Sequence, residues 1–175
     1  MPRYVRAFVP GGTFFFTVNL LERQRTLLTD HAGLLGDSIR QVRRERPFHI
    51  HAIVVLPDHL HCIWELPEGD ADFSTRWRRI KGIFSRGIEA DERLSRRRIA
   101  KAERGIWQRR FWEHSIRSER DFEHHVDYLH YNPVKHGHVS RVRDWPHSSF
   151  HRYVRAGIHN EDWAGTDVSR TLDLD

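Results

Sequence analysis

His59 and His61 stand two residues apart in the run Val54-Val55-Leu56-Pro57-Asp58-His59-Leu60-His61-Cys62-Ile63-Trp64. Alternate side chains of an extended strand share a face, so both imidazoles can converge on one divalent cation while Leu60, Cys62 and Trp64 turn to the other side. A second concentration of polar groups lies in Asp121-Phe122-Glu123-His124-His125-Val126-Asp127-Tyr128-Leu129-His130-Tyr131-Asn132. At about 100° per residue, Phe122, Val126 and Leu129 form an apolar stripe. Asp121, His125, Tyr128 and Asn132 fall at i, i+4, i+7 and i+11, on a polar stripe flanking it. Two neutral imidazoles and an Asn carbonyl make a modest divalent-metal site whose open positions suit phosphate oxygens. A phenol beside it could attack phosphorus, but its ordinary pKa is near 10, so Tyr128 needs help from the metal-bound phosphate or His125. The same patterns also suit a hydrogen-bonded histidine pair and a plain amphipathic helix with Tyr128 as a packing residue.

These side chains need elements to carry them. The spacing predicts a strand over 13–20, rich in Phe, Thr and Val, and a helix over 30–46 opened by Thr29-Asp30 and stopped by Pro47. Strands over 50–55 and 59–66 follow, joined at Pro57-Asp58. Asp72-Phe73-Ser74 opens a basic helix over 75–88, and residues 111–116 read as a fourth strand. Ser118-Glu119-Arg120-Asp121 resembles a capping box for a helix reaching Tyr131, where Pro133 ends it, and a short helix occupies 148–155. The order β-α-β-β-α-β-α predicts an α+β fold, an antiparallel sheet with helices packed on one face. Residues 1–155 read as one domain with a basic insertion at about 87–104, and 156–175 as an acidic C-terminal tail.

Composition narrows the function. Of 29 Lys+Arg only Lys81, Lys101 and Lys135 are lysines, and guanidinium forks match phosphate oxygens better than ammonium does. Residues 76–110 hold 13 Lys+Arg against 4 Asp+Glu, while the rest of the chain is close to neutral or acidic. Such a block can act as the electrostatic footprint of a polyanion-binding surface or be a solvated helical face; Arg76, Arg78, Arg79 and Lys81 on the helix and Arg93, Arg96, Arg97, Arg98 and Arg104 in the insertion are the candidate phosphate contacts. Trp77, Trp145 and Phe150 are candidates for stacking on unpaired bases. The single cysteine, Cys62, excludes an internal disulfide and a cysteine-rich scaffold. No run approaches the ~18 apolar residues of a membrane span, so the expected location is the cytoplasm or another reducing compartment.

The run at 54–64, the run Trp107-Gln108-Arg109-Arg110-Phe111-Trp112-Glu113-His114 and the run from His124 through Asn132-Pro133-Val134-Lys135-His136-Gly137 together resemble the REP-associated tyrosine transposases, relatives of the single-tyrosine HUH transposases. Gly11-Gly12-Thr13, Leu66-Pro67-Glu68-Gly69-Asp70, Asp144-Trp145-Pro146 and Asp162-Trp163-Ala164-Gly165 extend the resemblance over nearly the whole chain. It implies a ferredoxin-like fold. It implies His59 and His61 as metal ligands for Mg²⁺ or Mn²⁺, Tyr128 as nucleophile, and Asn132 at the position where sister transposases complete the metal site with Gln. It further implies cleavage and rejoining of single-stranded DNA through a 5′-phosphotyrosine bond, at hairpins formed by repetitive extragenic palindromes, by a monomer or homodimer. Two other activities fit the same residues: a non-catalytic single-stranded nucleic-acid-binding protein, and a metal-dependent phosphodiesterase using water.

Overall fold

A computed structural model of the chain describes residues 6–164; Arg3 and the acidic stretch beyond Ala164 lie outside the described residues. Strand β1 (Thr13–Asn19) is followed by α1 (Leu27–Asp30), α2 (Ala32–Glu45), β2 (His49–Val55), β3 (His59–Glu65) and α3 (Phe73–Arg86). Then come α4 (Arg96–Ala100), β4 (Trp112–Ser115), α5 (Glu119–Lys135) and α6 (Phe150–Arg155). The strands lie in the order β2-β3-β1-β4, every neighbouring pair antiparallel, which is the expected α+β arrangement of a β-α-β-β-α-β unit.

The helices cover both faces of the sheet rather than the one face expected from the element order. Phe14, Phe16 and Val18 of β1 and Leu60, Cys62 and Trp64 of β3 pack with α2 and α3, whereas Phe15, Ile63, Ala52 and Val54 pack against Val126, Tyr128 and Leu129 of α5. The cause is visible in the strands: besides the apolar set of β1 and β3 on the α2–α3 face, Phe15, Ile63, Ala52 and Val54 put apolar side chains on the other face, and a sheet buried on two sides needs cover on two sides. Phe14, Phe15 and Phe16 are almost completely buried, and truncating any of them to Ala is expected to cost ~3–5 kcal/mol.

Helix α5 begins as the capping pattern predicts, with Ser118 Oγ accepting from the Asp121 N–H, but it does not stop before Pro133. The proline sits inside the last turn, where its missing N–H removes one intrahelical bond, and burial of Asn132 and Pro133 holds the helix to Lys135. Gly137, at φ +72°, then turns the chain, with His138 N–H bonded to the Pro133 carbonyl. This extra turn places Lys135 and His136 beside β3.

Two arginines expected to face a polyanion belong instead to the scaffold. Arg76 is 1% exposed. Its guanidinium makes a forked ion pair with Asp70 (2.7 and 3.1 Å) and donates to the carbonyls of Arg46, Pro47 and Asp72. The helical phase that turns Trp77 and Ile80 inward carries Arg76 with them, so it is not a DNA contact. Arg104 pairs with Glu92 and donates to the carbonyls of Ile88 (2.7 Å) and Glu89 (3.0 Å). With Arg25 bonded to Asp91 (2.8 Å), this ties the insertion to the body rather than leaving it a free loop. Residues 157–164 also pack back: Trp163 stacks on His159, which stacks on Phe150, and Arg143 bonds Asp162 at 2.7 Å. Among the described residues no helix is long and apolar enough to cross a membrane.

Candidate active site

Strand pairing decides what faces α5. Thr17 lies opposite His61 and Asn19 opposite His59, so the two histidines share a face with Phe15, Thr17 and Asn19. Both imidazoles are buried (4% exposed each), with ring centroids 5.0 Å apart. Each is anchored through Nδ1: His59 to Asp58 Oδ1 at 2.7 Å, His61 to Thr17 Oγ1 at 2.8 Å. A ring held through Nδ1 has Nε2 available as a ligand, the usual supporting arrangement of a metal-binding histidine. Asp58 is in turn gripped by Arg23, whose Nη1 also donates to Asn19 (3.0 Å).

Burial lowers the pKa of His59 and lowers that of His61 well below the ordinary value; the Asp58 carboxylate pulls the other way at His59, without overcoming burial. Both rings are therefore neutral at neutral pH, with lone pairs to offer. Burial works against ionisation of Asp58, yet hydrogen bonds from Arg23 and His59 bring its pKa below the ordinary value.

Helix α5 supplies the other wall. The Tyr128 ring lies edge-on 5.4 Å from His61 and 5.9 Å from Phe15, and the Lys135 ammonium sits 5.1 Å from the Tyr128 ring centre. Asn132, one turn further on, is fully buried with neither Oδ1 nor Nδ2 hydrogen-bonded among the described residues, and its side chain adjoins His59. A buried amide short of hydrogen bonds is costly, and a carbonyl oxygen beside the anchored His59 ring would add a donor to a set that fits a hard-to-borderline divalent cation. The cleft between these walls holds about 350 Å³, and Arg23, Trp112 and His136 complete its lining. It is assembled within one chain.

Sequence reasoning missed Arg23, Asp58, Thr17, Lys135 and His136. The last two follow in register from Tyr128 once α5 is carried through Pro133. His136 lies 5.1 Å from His59, and its pKa is lowered by burial and then by His59. His125 is not set as a proton relay. Its Nδ1 is bonded to the Asp121 carbonyl (2.8 Å) and lies 3.0 Å from the Asp121 carboxylate, and its ring stacks on His114.

The cationic candidates sit on the opposite face of the sheet. A groove of about 510 Å³ between α3 and the segment after α4 is lined by Arg6, Arg78, Lys81, Arg86, Arg98 and Arg109, floored by Trp77, Trp107 and Phe111. Arg78 is exposed; Arg79 is paired with Glu45. Lys81 donates to the Gln108 carbonyl, and burial, with Arg6 nearby, brings its pKa down to about 8. Arg96 and Arg97 project from α4 into solvent, and Arg98 is half-buried against the Arg104 carbonyl. Groove and cleft meet at the edge strand β4, where Phe111 lines the first and Trp112 the second.

Residues 16–132 match the family model described as "Transposase IS200 like". A REP-associated tyrosine transposase of Escherichia coli (strain K12) is 52% identical over 171 residues, 97% of this chain and 96% of that protein. A Haemophilus influenzae protein carrying the same family name is 45% identical over 94% of each chain. A solved REP-associated tyrosine transposase, bound to a REP hairpin, superposes with a TM-score of 0.81 at 52% identity, over 97% of this chain and 96% of that one.

Proposed function

The chain belongs to the REP-associated tyrosine transposases within the IS200-like transposases, and from that premise we propose that it cuts and rejoins single-stranded DNA at hairpin-forming palindromic repeats, with Tyr128 as the nucleophile. The observation that carries this reading is the edge contact of Tyr128 with His61 in a cleft that also holds His59, with the Lys135 ammonium over the Tyr128 ring. The Tyr128 Oη–H proton leaves to solvent, an Oη–P bond forms and the P–O3′ bond breaks, the departing 3′ oxygen taking a proton. The product is a 5′-phosphotyrosine and a free 3′-hydroxyl. Rejoining reverses the step, and because one phosphodiester replaces another, no external energy source is needed.

Lys135 favours the phenolate by its charge beside the ring. Arg23, half-exposed at the cleft mouth, orients the scissile phosphate. His59, His61 and Asn132 would hold Mg²⁺ or Mn²⁺, which when bound neutralises negative charge on the phosphate oxygens. Trp112, 45% exposed at the cleft edge, offers a stacking face for an unpaired base. The groove cations Arg78, Lys81 and Arg98, with Arg79, Arg96 and Arg97 nearby, attract the backbone of the hairpin. Since one chain brings His61 and Tyr128 together, a monomer suffices for cleavage, acting in the cytoplasm on nucleoid DNA.

Incubation with a labelled hairpin oligonucleotide, with and without Mn²⁺, tests the proposal. A denaturation-resistant protein–DNA adduct is expected from the wild type and none from Tyr128→Phe, with hairpin affinity kept. Cleavage that survives Tyr128→Phe would make water the nucleophile. Binding without cleavage under any metal would make the protein a binding module.

A further inference from the structure

A second group of metal-competent side chains lies outside the cleft. His114 of β4 and Asp121 and His125 of α5 bring one nitrogen or oxygen each within 4.8 Å of one another. The Asp121 carboxylate is 2.9 Å from His114 Nε2 and 3.0 Å from His125 Nδ1, so it bridges the two rings, which stack 4.6 Å apart. Asp121 is itself oriented by the Arg117 N–H at 3.0 Å. Trp112 lies parallel to the His114 ring, and Phe15 packs on His125. Phe15 also contacts His61 and Tyr128, so its ring separates this group from the His59–His61 pair.

We propose that His114, Asp121 and His125 form a second divalent-cation site, for a transition ion such as Zn²⁺, that clips the edge strand to the first turns of α5 just ahead of Tyr128. Three observations converge. The donor set is two imidazoles and one carboxylate, which matches zinc chemistry and lacks the oxygen-rich shell magnesium needs. The donors come from two elements and are already gathered, and binding exchanges the His125 Nδ1 hydrogen bond to the Asp121 carbonyl for a bond to the metal. The site is buried on the His125 side and open at His114, whose side chain is 34% exposed, leaving room for a water to complete four-coordination. On binding, each imidazole presents a lone pair at the nitrogen now facing Asp121 and carries its proton on the other nitrogen, so the rings stay neutral. The proposal stands independently of the DNA chemistry.

Titration of chelator-treated full-length protein with Co²⁺ and Zn²⁺ tests it. Two equivalents are expected for the wild type, one of them giving the visible absorption of four-coordinate Co²⁺. His114→Gln and Asp121→Asn should each abolish that band and weaken the corresponding Zn²⁺ site more than ~10-fold, while His59→Ala should keep the band and lose the other equivalent. Half-exposed His114 tolerates Gln without loss of fold, which circular dichroism checks, and His59→Ala alone still reports the second site. A single equivalent that vanishes with His59→Ala, or Co²⁺ and Zn²⁺ binding indifferent to both His114→Gln and Asp121→Asn, overturns the proposal.

Discussion

The two faces of the sheet handle charge differently. Beside α5, His59 and His61 are buried, neutral and held through Nδ1, His59 by an Asp58 that Arg23 grips and His61 by Thr17 of the neighbouring strand. Beside α3, the groove presents cations such as Arg78 and Arg86 on exposed side chains over an aromatic floor. Rigid anchoring suits a reaction that depends on placing one phosphorus against one oxygen. Loose cations suit attraction of a backbone whose sequence they do not read. The contrast teaches that in this chain precision and affinity are carried by different residues on opposite faces, joined at β4.

The strongest test of that division is Arg76, which lies in the basic helix by sequence but in the scaffold by structure. Arg76→Ala leaves Asp70 and the carbonyls of Arg46 and Pro47 without their donor. It should destabilise the fold by ~3–5 kcal/mol in denaturant titration. Under conditions where the variant is folded, the salt dependence of DNA binding should equal that of the wild type. A reduced salt slope in folded Arg76→Ala would return Arg76 to the groove.

A smaller effect separates the histidines by role. His130 is buried, bonded to Ser149, and burial brings its pKa down to about 3. Because the folded value is depressed, the unfolded chain takes up a proton below about pH 6.5 that the folded chain refuses. Stability present above that pH is then lost at about 1.4 kcal/mol per unit as pH falls toward 3. His59 and His61 add in the same direction. His130→Gln should flatten the acid limb of a melting-temperature profile while leaving cleavage at pH 7.5 intact. An unchanged acid limb would show that His130 does not set it.

The cleft was legible in the sequence where strict periodicities carried it. The two-residue spacing of His59 and His61 puts them on one face whatever the rest of the fold does, and the helical spacing of Tyr128 and Asn132 does the same on α5. What stayed hidden depended on tertiary context. Taking Pro133 as a stop removed Lys135 and His136 from view, because the local cost of a proline says nothing about the burial that offsets it. The second helical layer was signalled by Phe14-Phe15-Phe16, three consecutive residues that cannot all face one side of a strand. Arg76 and Arg104 illustrate the opposite difficulty: composition counts a guanidinium as surface charge, and only the carbonyls and carboxylates around it reveal that it faces inward.

Trp112 and the arginines of α4 give the finest distinctions. Trp112→Ala should weaken hairpin binding by ~1–3 kcal/mol, the range for one stacked base, with little change in salt slope because an indole carries no charge to pair with phosphate. Arg96→Gln with Arg97→Gln should do the reverse. Both side chains are exposed and stand on a helix of five residues with no buried member, so stability should change by less than ~0.5 kcal/mol. Every phosphate left without its guanidinium should reduce the slope of log affinity against log salt by ~0.7 for a single strand. Affinity at low salt then falls while the rate of adduct formation at saturating hairpin stays at the wild-type value. If that saturated rate drops with the two arginines, or the salt slope drops with Trp112, then positioning and attraction are not separable at β4, and the groove and the cleft act on the DNA as one surface.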